Sequence, residues 1–298
     1  MNQNGHTPVL LEEVLEYLEV QREGIYVDCT VGLGGHTAEI LKRNPKASLI
    51  GFDIDEKSLL KAKDKLQAYA DRVTLYHSDF RYLPDLNMDF SDIRGILLDL
   101  GISSYQLDSP ERGFSYSQDG PLDMRMDWRN KTTAAKILNK YSEYRLAQVF
   151  REYGELRQAK KLANSIVTRR KEIKIETTLQ LFQIVEDVCR WRTQKGKTHP
   201  AARVFQALRI EANQELKNLS SFLERVILLS PSKARIVAVS FHSLEDRIVK
   251  RAFAKMTVHN DHPVCLKILT KKPVIPTKNE VESNFRARSA KLRAAERI

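Results

Sequence analysis

The sequence predicts an open α/β fold: a mostly parallel sheet in one discontinuous domain, interrupted by a helical insert. Three observations carry this expectation. Short apolar runs alternate with helical patterns over roughly the first third of the chain. From Thr132 to about Leu229 the apolar spacing is helical throughout, and at Ala234–Phe241 strand character returns after Ser230-Pro231. The chain of 298 residues, 42% apolar and 29% charged, has ample material for a core, which excludes a disordered or fibrous protein.

The elements follow in order. Apolar residues at 10, 11, 14, 15 and 18 place a leading helix over Val9–Leu18. Ile25–Thr30 reads as a first strand running into glycines. A helix then starts at His36 and stops near Asn44-Pro45. Ser48–Asp53 is a second strand, followed by a charged helix from Glu56 to about Tyr69. Val73–His77 and Ile93–Leu98 are the third and fourth strands. Within the helical segment, Thr132-Thr133 and Thr177-Thr178 stand where helices should be capped. Ala234–Phe241 is a fifth strand, Leu244–Lys255 a helix, and Cys265–Ile268 and Ser289–Ala294 are candidate strands of the tail. The expected division is 1–127 with 216–298 as the sheet domain and 128–215 as the insert.

Three scattered cysteines without a C-x-x-C pair argue against a disulfide framework and for a reducing compartment. The N-terminus has neither the basic start nor the apolar run of a signal peptide, and no 18-residue apolar run occurs. The expected location is the cytoplasm, with no membrane partner. The net charge of +11 is unevenly spread: 128–215 carries +10, 266–298 carries +6, and the remainder −5. Such asymmetry points to a polyanionic partner, since phosphate neutralisation supplies most sequence-independent affinity for nucleic acid.

The first strand ends in Asp28-Cys-Thr-Val-Gly32-Leu-Gly34-Gly35-His36-Thr37. Counted from Gly32, a dinucleotide loop would need its third glycine at Thr37; here it adjoins the second. An acid at the strand end and backbone N–H donors in the loop suit a ligand bearing an amine and a carboxylate, such as S-adenosylmethionine. A branched side chain at Gly34 is expected to block that ligand. Asp53 ends the second strand, where a carboxylate can accept both hydroxyls of a ribose; Asp55, just before Glu56, reads as a helix cap. Ser78-Asp79-Phe80 places an acid and an aromatic at the third strand end, suited to an adenine.

Longer blocks follow: HTPVLLEEVL from His6, GILLDLGISS-x-QLD from Gly95, ERGFS, DGPLDMRMD, HPAAR-x-FQALRI-x-x-N from His199, SFHSLEDR-x-VK from Ser240 and RARSAKLRAAER from Arg286. With GLGGHT they resemble the MraW-type family of bacterial ribosomal RNA methyltransferases, over nearly the whole chain. Tyr105 and Phe285 depart from it, standing where that family is expected to have proline. The resemblance implies a class I methyltransferase sheet with an inserted RNA-recognition domain. It also implies methyl transfer from S-adenosylmethionine to N4 of a cytidine in the decoding region of 16S rRNA, within a small-subunit particle. It assigns cofactor contacts to Gly34, Gly35, His36, Asp53, Phe80, Asp99 and Gln106.

Exocyclic N4 is a weak nucleophile, so an enzyme must orient it toward the methyl and accept its proton. Asp99, Ser103 and His242 are the catalytic candidates, with Asp123 a further substrate-side group. Lys197, Arg203 and Arg209 are the candidate RNA contacts. No metal is expected: His259, His262 and Cys265 are interrupted by Pro263 and lack a nearby fourth ligand. Met124 and Met126 read as core fillers. A Ser-His-Asp hydrolase built on Ser240, His242 and Asp246 lacks a nucleophile elbow. A non-enzymatic RNA-binding module would leave the equipped strand ends unexplained. The oligomeric state is open between monomer and homodimer.

Overall fold

The computed structural model describes residues 8–190, 198–257 and 266–298. It divides into two compact units, Met1–Gly101 with Leu216–Ile298, and Ile102–Glu215. The first unit opens with α1 (Leu11–Leu18), β1 (Gly24–Asp28), α2 (Gly35–Arg43), β2 (Ala47–Asp53), α3 (Glu56–Lys65), β3 (Val73–His77) and β4 (Ile93–Asp99). The second holds α4 (Ser104–Asp108), α5 (Ala134–Lys140), α6 (Glu143–Glu152), α7 (Ala159–Arg169), α8 (Thr178–Cys189) and α9 (Pro200–Asn213). The chain then returns to the first unit through α10 (Leu219–Leu229), β5 (Arg235–Ser240), α11 (Ser243–Lys255), β6 (Leu266–Ile268), α12 (Lys278–Ser283) and β7 (Lys291–Arg297).

The seven strands form one sheet in the order β3-β2-β1-β4-β5-β7-β6. The first five are mutually parallel, while β7 runs antiparallel to both β5 and β6. The chain moves outward from β1 to β3, then jumps back to β4 on the other side of β1. Ligands in open α/β sheets bind at such a reversal, beyond the carboxyl ends of the strands.

Alternation along the strands sends side chains to two cores. Val27, Phe52, Ile96, Leu98, Ile236 and Ala238 pack with α10 and α11, while Tyr26, Leu49, Leu97, Val237 and Val239 pack with α1 and α2. Both faces are covered, which explains why these strands read as nearly continuous apolar runs. No described helix is long and apolar enough to cross a membrane.

In the second unit, Thr133 caps α5, and Thr177 closes a capping box with Gln180 at α8, the helix starts expected from the threonine pairs. The seam, however, falls between residues 101 and 102, whereas the sequence places it between 127 and 128. Residues 102–127 are poor in regular structure, yet they are bonded into the helices. The Leu122 and Met126 N–H groups donate to Glu176 O and Asn213 Oδ1, and Pro121 bridges to Thr177. Arg112, 1% exposed, donates to the carbonyls of Arg125 and Met126. Met124 and Met126 are buried, as core fillers should be.

Some local elements carry no sequence signal strong enough to be foreseen. They are α4, α12 and a 3-10 turn over Phe80–Asp85. β7 also extends to Arg297, beyond the expected end at Ala294.

Candidate active site

In the first unit, Asp28, Asp53, Asp99 and Ser240 are the last residues of β1, β2, β4 and β5. Parallel pairing puts these ends on one edge of the sheet. The register sets Asp28 beside Gly51 and Leu97, and Asp99 beside Val239.

The glycine loop is held from below by two of these carboxylates. Gly32 and Gly34 have φ of 53° and 75°, the left-handed region that glycine enters without penalty. Asp53 Oδ2 accepts from Gly32 N at 2.7 Å, and its Oδ1 from Asp55 N at 2.8 Å. Asp28 accepts from the Thr37 hydroxyl at 2.7 Å and from Thr30 N at 3.0 Å. Burial pushes both carboxyls up to about 6, against the lowering effect of those hydrogen bonds. Asp55 caps α3, as its place before Glu56 predicts.

Gly34 also has a packing role. A Cβ there would lie 3.3 Å from Ala62 Cβ and Leu66 Cδ1, so a side chain would press on α3 and the chain just beyond it. Gly34→Val is therefore expected to destabilise the fold by about 2–5 kcal/mol, combining left-handed strain with overpacking. Urea unfolding measures this. A variant with wild-type stability that had lost only cofactor affinity would restore the steric-block view. At Gly35 a Cβ would meet Pro8 Cγ at 2.6 Å, so that glycine is a packing requirement.

His36 is buried, with Nε2 3.2 Å from Val9 O and Nδ1 3.5 Å from Asp99 Oδ2. A proton on Nε2 satisfies the carbonyl and leaves Nδ1 an acceptor facing the Asp99 carboxyl, which donates to it when protonated; this tautomer is assigned from the hydrogen-bond network. The Asp99 N–H donates to Thr30 Oγ1 at 2.7 Å, while Asp99 Oδ1 is buried without a partner among the described residues. Burial, then the charges of Asp28 and Glu245, raise the Asp99 carboxyl well above the usual range. Thr30 and Thr37 are thus site residues that the sequence analysis did not single out. Nothing marks a threonine as special until the fold closes it onto an aspartate.

His242 is the N-cap of α11: Nδ1 accepts from Glu245 N at 3.3 Å, and Glu245 Oε2 accepts from Phe241 N at 2.9 Å and His242 N at 3.3 Å. Asp246 pairs with Arg293. The acidic pair Glu245/Asp246 therefore has structural work at the helix start. The Phe80 ring packs edge-on against Phe222 with centroids 4.9 Å apart. The Asp79 carboxylate is gripped by the Arg81 guanidinium.

The remaining candidates lie in the second unit. Ser103 and Gln106 form the capping box of α4, with Ser103 N donating to Gln106 Oε1 at 2.9 Å and Gln106 N to Ser103 Oγ at 3.2 Å. Asp123 is paired bidentately with Arg125. Arg203 is exposed and, among the described residues, reaches only the Glu155 carbonyl, at 3.5 Å. Arg209 is turned inward, its guanidinium clamped on Glu215 at 2.9 and 2.8 Å. Lys197, and the His259, His262 and Cys265 group, lie outside the described residues.

The model of the MraW methylase family matches residues 3–298. The chain belongs to this family. It is 46% identical to ribosomal RNA small subunit methyltransferase H of Halothermothrix orenii, over 98% of each chain. The proteins of the same name from Caldicellulosiruptor saccharolyticus and Carboxydothermus hydrogenoformans are 47% and 44% identical. They cover 98% and 99% of this chain, and 99% and 98% of their own. S-adenosylmethionine is the methyl donor of this methylase. The sheet edge fits such a group, with a buried Asp99 oxygen that has no donor among the described residues and two carboxylates closing a loop of left-handed glycines.

Two carboxyls at about 6 make the site pH-dependent. Their folded values exceed the unfolded ones, so the apo protein holds extra protons between about pH 4 and 6 and loses stability as pH rises through that window. Cofactor hydroxyl or ammonium donors favour the ionised carboxylates, so affinity moves the opposite way. Titration calorimetry should show binding about tenfold weaker at roughly pH 5 than at roughly pH 7.5 for one such group. A flat profile would remove both carboxylates from the cofactor site.

Proposed function

We propose that this methylase transfers a methyl group from S-adenosylmethionine to the exocyclic N4 of a cytidine in the decoding region of 16S rRNA, within a small-subunit particle. Ribosomal RNA methylation is the broader activity. It is carried by identity of 44–47% along almost the full length of relatives named ribosomal RNA small subunit methyltransferase H.

The chain's residues divide the work. Asp53 receives the ribose hydroxyls while bracing Gly32, and the N–H groups at Gly35 and the start of α2 receive the carboxylate end, the Gly34 N–H being held by Val31 O. His36 sets Asp99, and Phe80 offers an apolar wall to the adenine. S-adenosylmethionine supplies an electrophilic methyl on a sulfonium. The amine nitrogen forms the new N–C bond as the C–S bond breaks, and one amine proton must leave.

Among Asp99, Ser103 and His242, we assign the proton-accepting or orienting role to Asp99. Supporting this, Asp99 Oδ1 is buried at the end of β4 with no hydrogen-bond partner among the described residues, whereas the Ser103 hydroxyl accepts a helix-capping bond. His242 Nε2 also lacks a hydrogen bond there, but it faces Glu245 Oε1 at 3.1 Å while its Nδ1 caps α11. The basic helical unit holds the RNA, with Arg203 an exposed cation for phosphate, in the cytoplasm.

Mass mapping of ribosomal RNA from a strain lacking this gene tests the reading. One missing N4-methyl on a small-subunit cytidine is the expected result. An unchanged modification map would overturn it.

A further inference from the structure

Within the first unit, Phe285 is the most exposed large apolar side chain described, at 70%. It opens a 3-10 turn over Phe285–Ser289 that is held by small residues: Ala287 and Ala290 are buried in the core shared with α1 and α2. Three residues per turn bring Phe285 and Arg288 to one side. The Arg288 Cζ lies 5.5 Å from the centroid of the Phe285 ring. Its guanidinium makes no hydrogen bond or ion pair among the described residues. An apolar ring braced by an uncommitted cation is thus held at the surface by its own anchored turn.

The turn's position gives it meaning. Lys291, which opens β7, pairs with Ser240, the last residue of β5. Because β7 is antiparallel, the turn preceding it lies at the carboxyl edge of the sheet, where Asp28, Asp53 and Asp99 also end. Arg286, Arg288 and Lys291 follow the ring within six residues, so the turn itself carries positive charge that favours a polyanion. An aromatic face supported by arginine in a basic setting is how proteins hold unpaired bases of single-stranded nucleic acid.

We propose that Phe285 and Arg288 form a base-stacking platform for a single-stranded RNA nucleotide, a substrate contact made by the sheet unit itself. The proposal rests on the ribosomal RNA reading above. It separates RNA recognition into two parts: phosphate attraction by the helical unit and stacking beside the methyl-transfer edge.

The test uses the full chain and small ribosomal subunits from a strain lacking the gene. Phe285→Ala should raise KM for the particle about tenfold, the usual scale for a lost base–aromatic stack, with cofactor Kd and melting temperature unchanged. Arg288→Ala should raise it by a smaller factor. Phe285→Trp should restore the wild-type KM and show indole fluorescence quenched by the particle. An unchanged KM in Phe285→Ala overturns the platform. So does a changed sedimentation coefficient with unchanged KM, which would make this face a protein contact. If the wild-type protein fails to methylate these particles, the ribosomal RNA reading falls and the platform with it.

Discussion

Replacing Asp53 with alanine is expected to weaken cofactor binding by about 1.5–3 kcal/mol, the scale of charge-assisted hydrogen bonds removed from a buried site. The loss has two sources. One is the acceptor for the ribose hydroxyls; the other is the clamp on Gly32 N and Asp55 N, without which the glycine loop and the start of α3 lose a shared anchor. Asp53→Asn separates them. Its amide oxygen can keep one of the two backbone contacts but offers no charge, so an intermediate affinity is expected. Calorimetry with S-adenosylmethionine decides: an unchanged Kd in Asp53→Ala would remove Asp53 from the cofactor site.

The second large effect concerns the two arginines expected from the sequence to touch RNA together. Arg209 and Glu215 are only 13% and 10% exposed and are joined bidentately. Arg209→Glu should therefore cost about 3–5 kcal/mol of stability, because reversal leaves two buried carboxylates facing each other. Arg203 is exposed, and Arg203→Glu should leave melting unchanged. It should weaken RNA binding and reduce the log–log salt slope by about 0.7–0.9 for one phosphate contact. Melting curves with RNA titrations at two salt concentrations distinguish these outcomes. A stable Arg209→Glu protein with weakened RNA binding would return Arg209 to the interface.

Much of the fold was legible because burial on both faces of a parallel sheet writes itself into continuous apolar runs, such as Ile93–Leu98 and Ala234–Phe241. The helical segment was legible for a related reason, since one-sided burial imposes spacing of three and four residues. Helix caps were readable too: Asp55, Thr133 and Thr177 act locally, within three residues of the groups they satisfy. The strand-end carboxylates were visible because each closes an apolar run with an acid, as at Asp28 and Asp53.

What depended on tertiary structure is whatever pairs residues distant in sequence. The seam at 101/102 was hidden because residues 102–127 have no periodicity of their own; they join the helical unit through Glu176 and Asn213. Arg203 and Arg209 look alike in sequence, and only packing sends one to solvent and the other to Glu215. Gly34 reads as a ligand contact in sequence, and only packing shows that its missing side chain also leaves room for Ala62 and Leu66. Periodicity and capping are local and survive in the order of residues. The partner of a buried charge, and the direction in which a side chain points, are set only when the chain closes on itself.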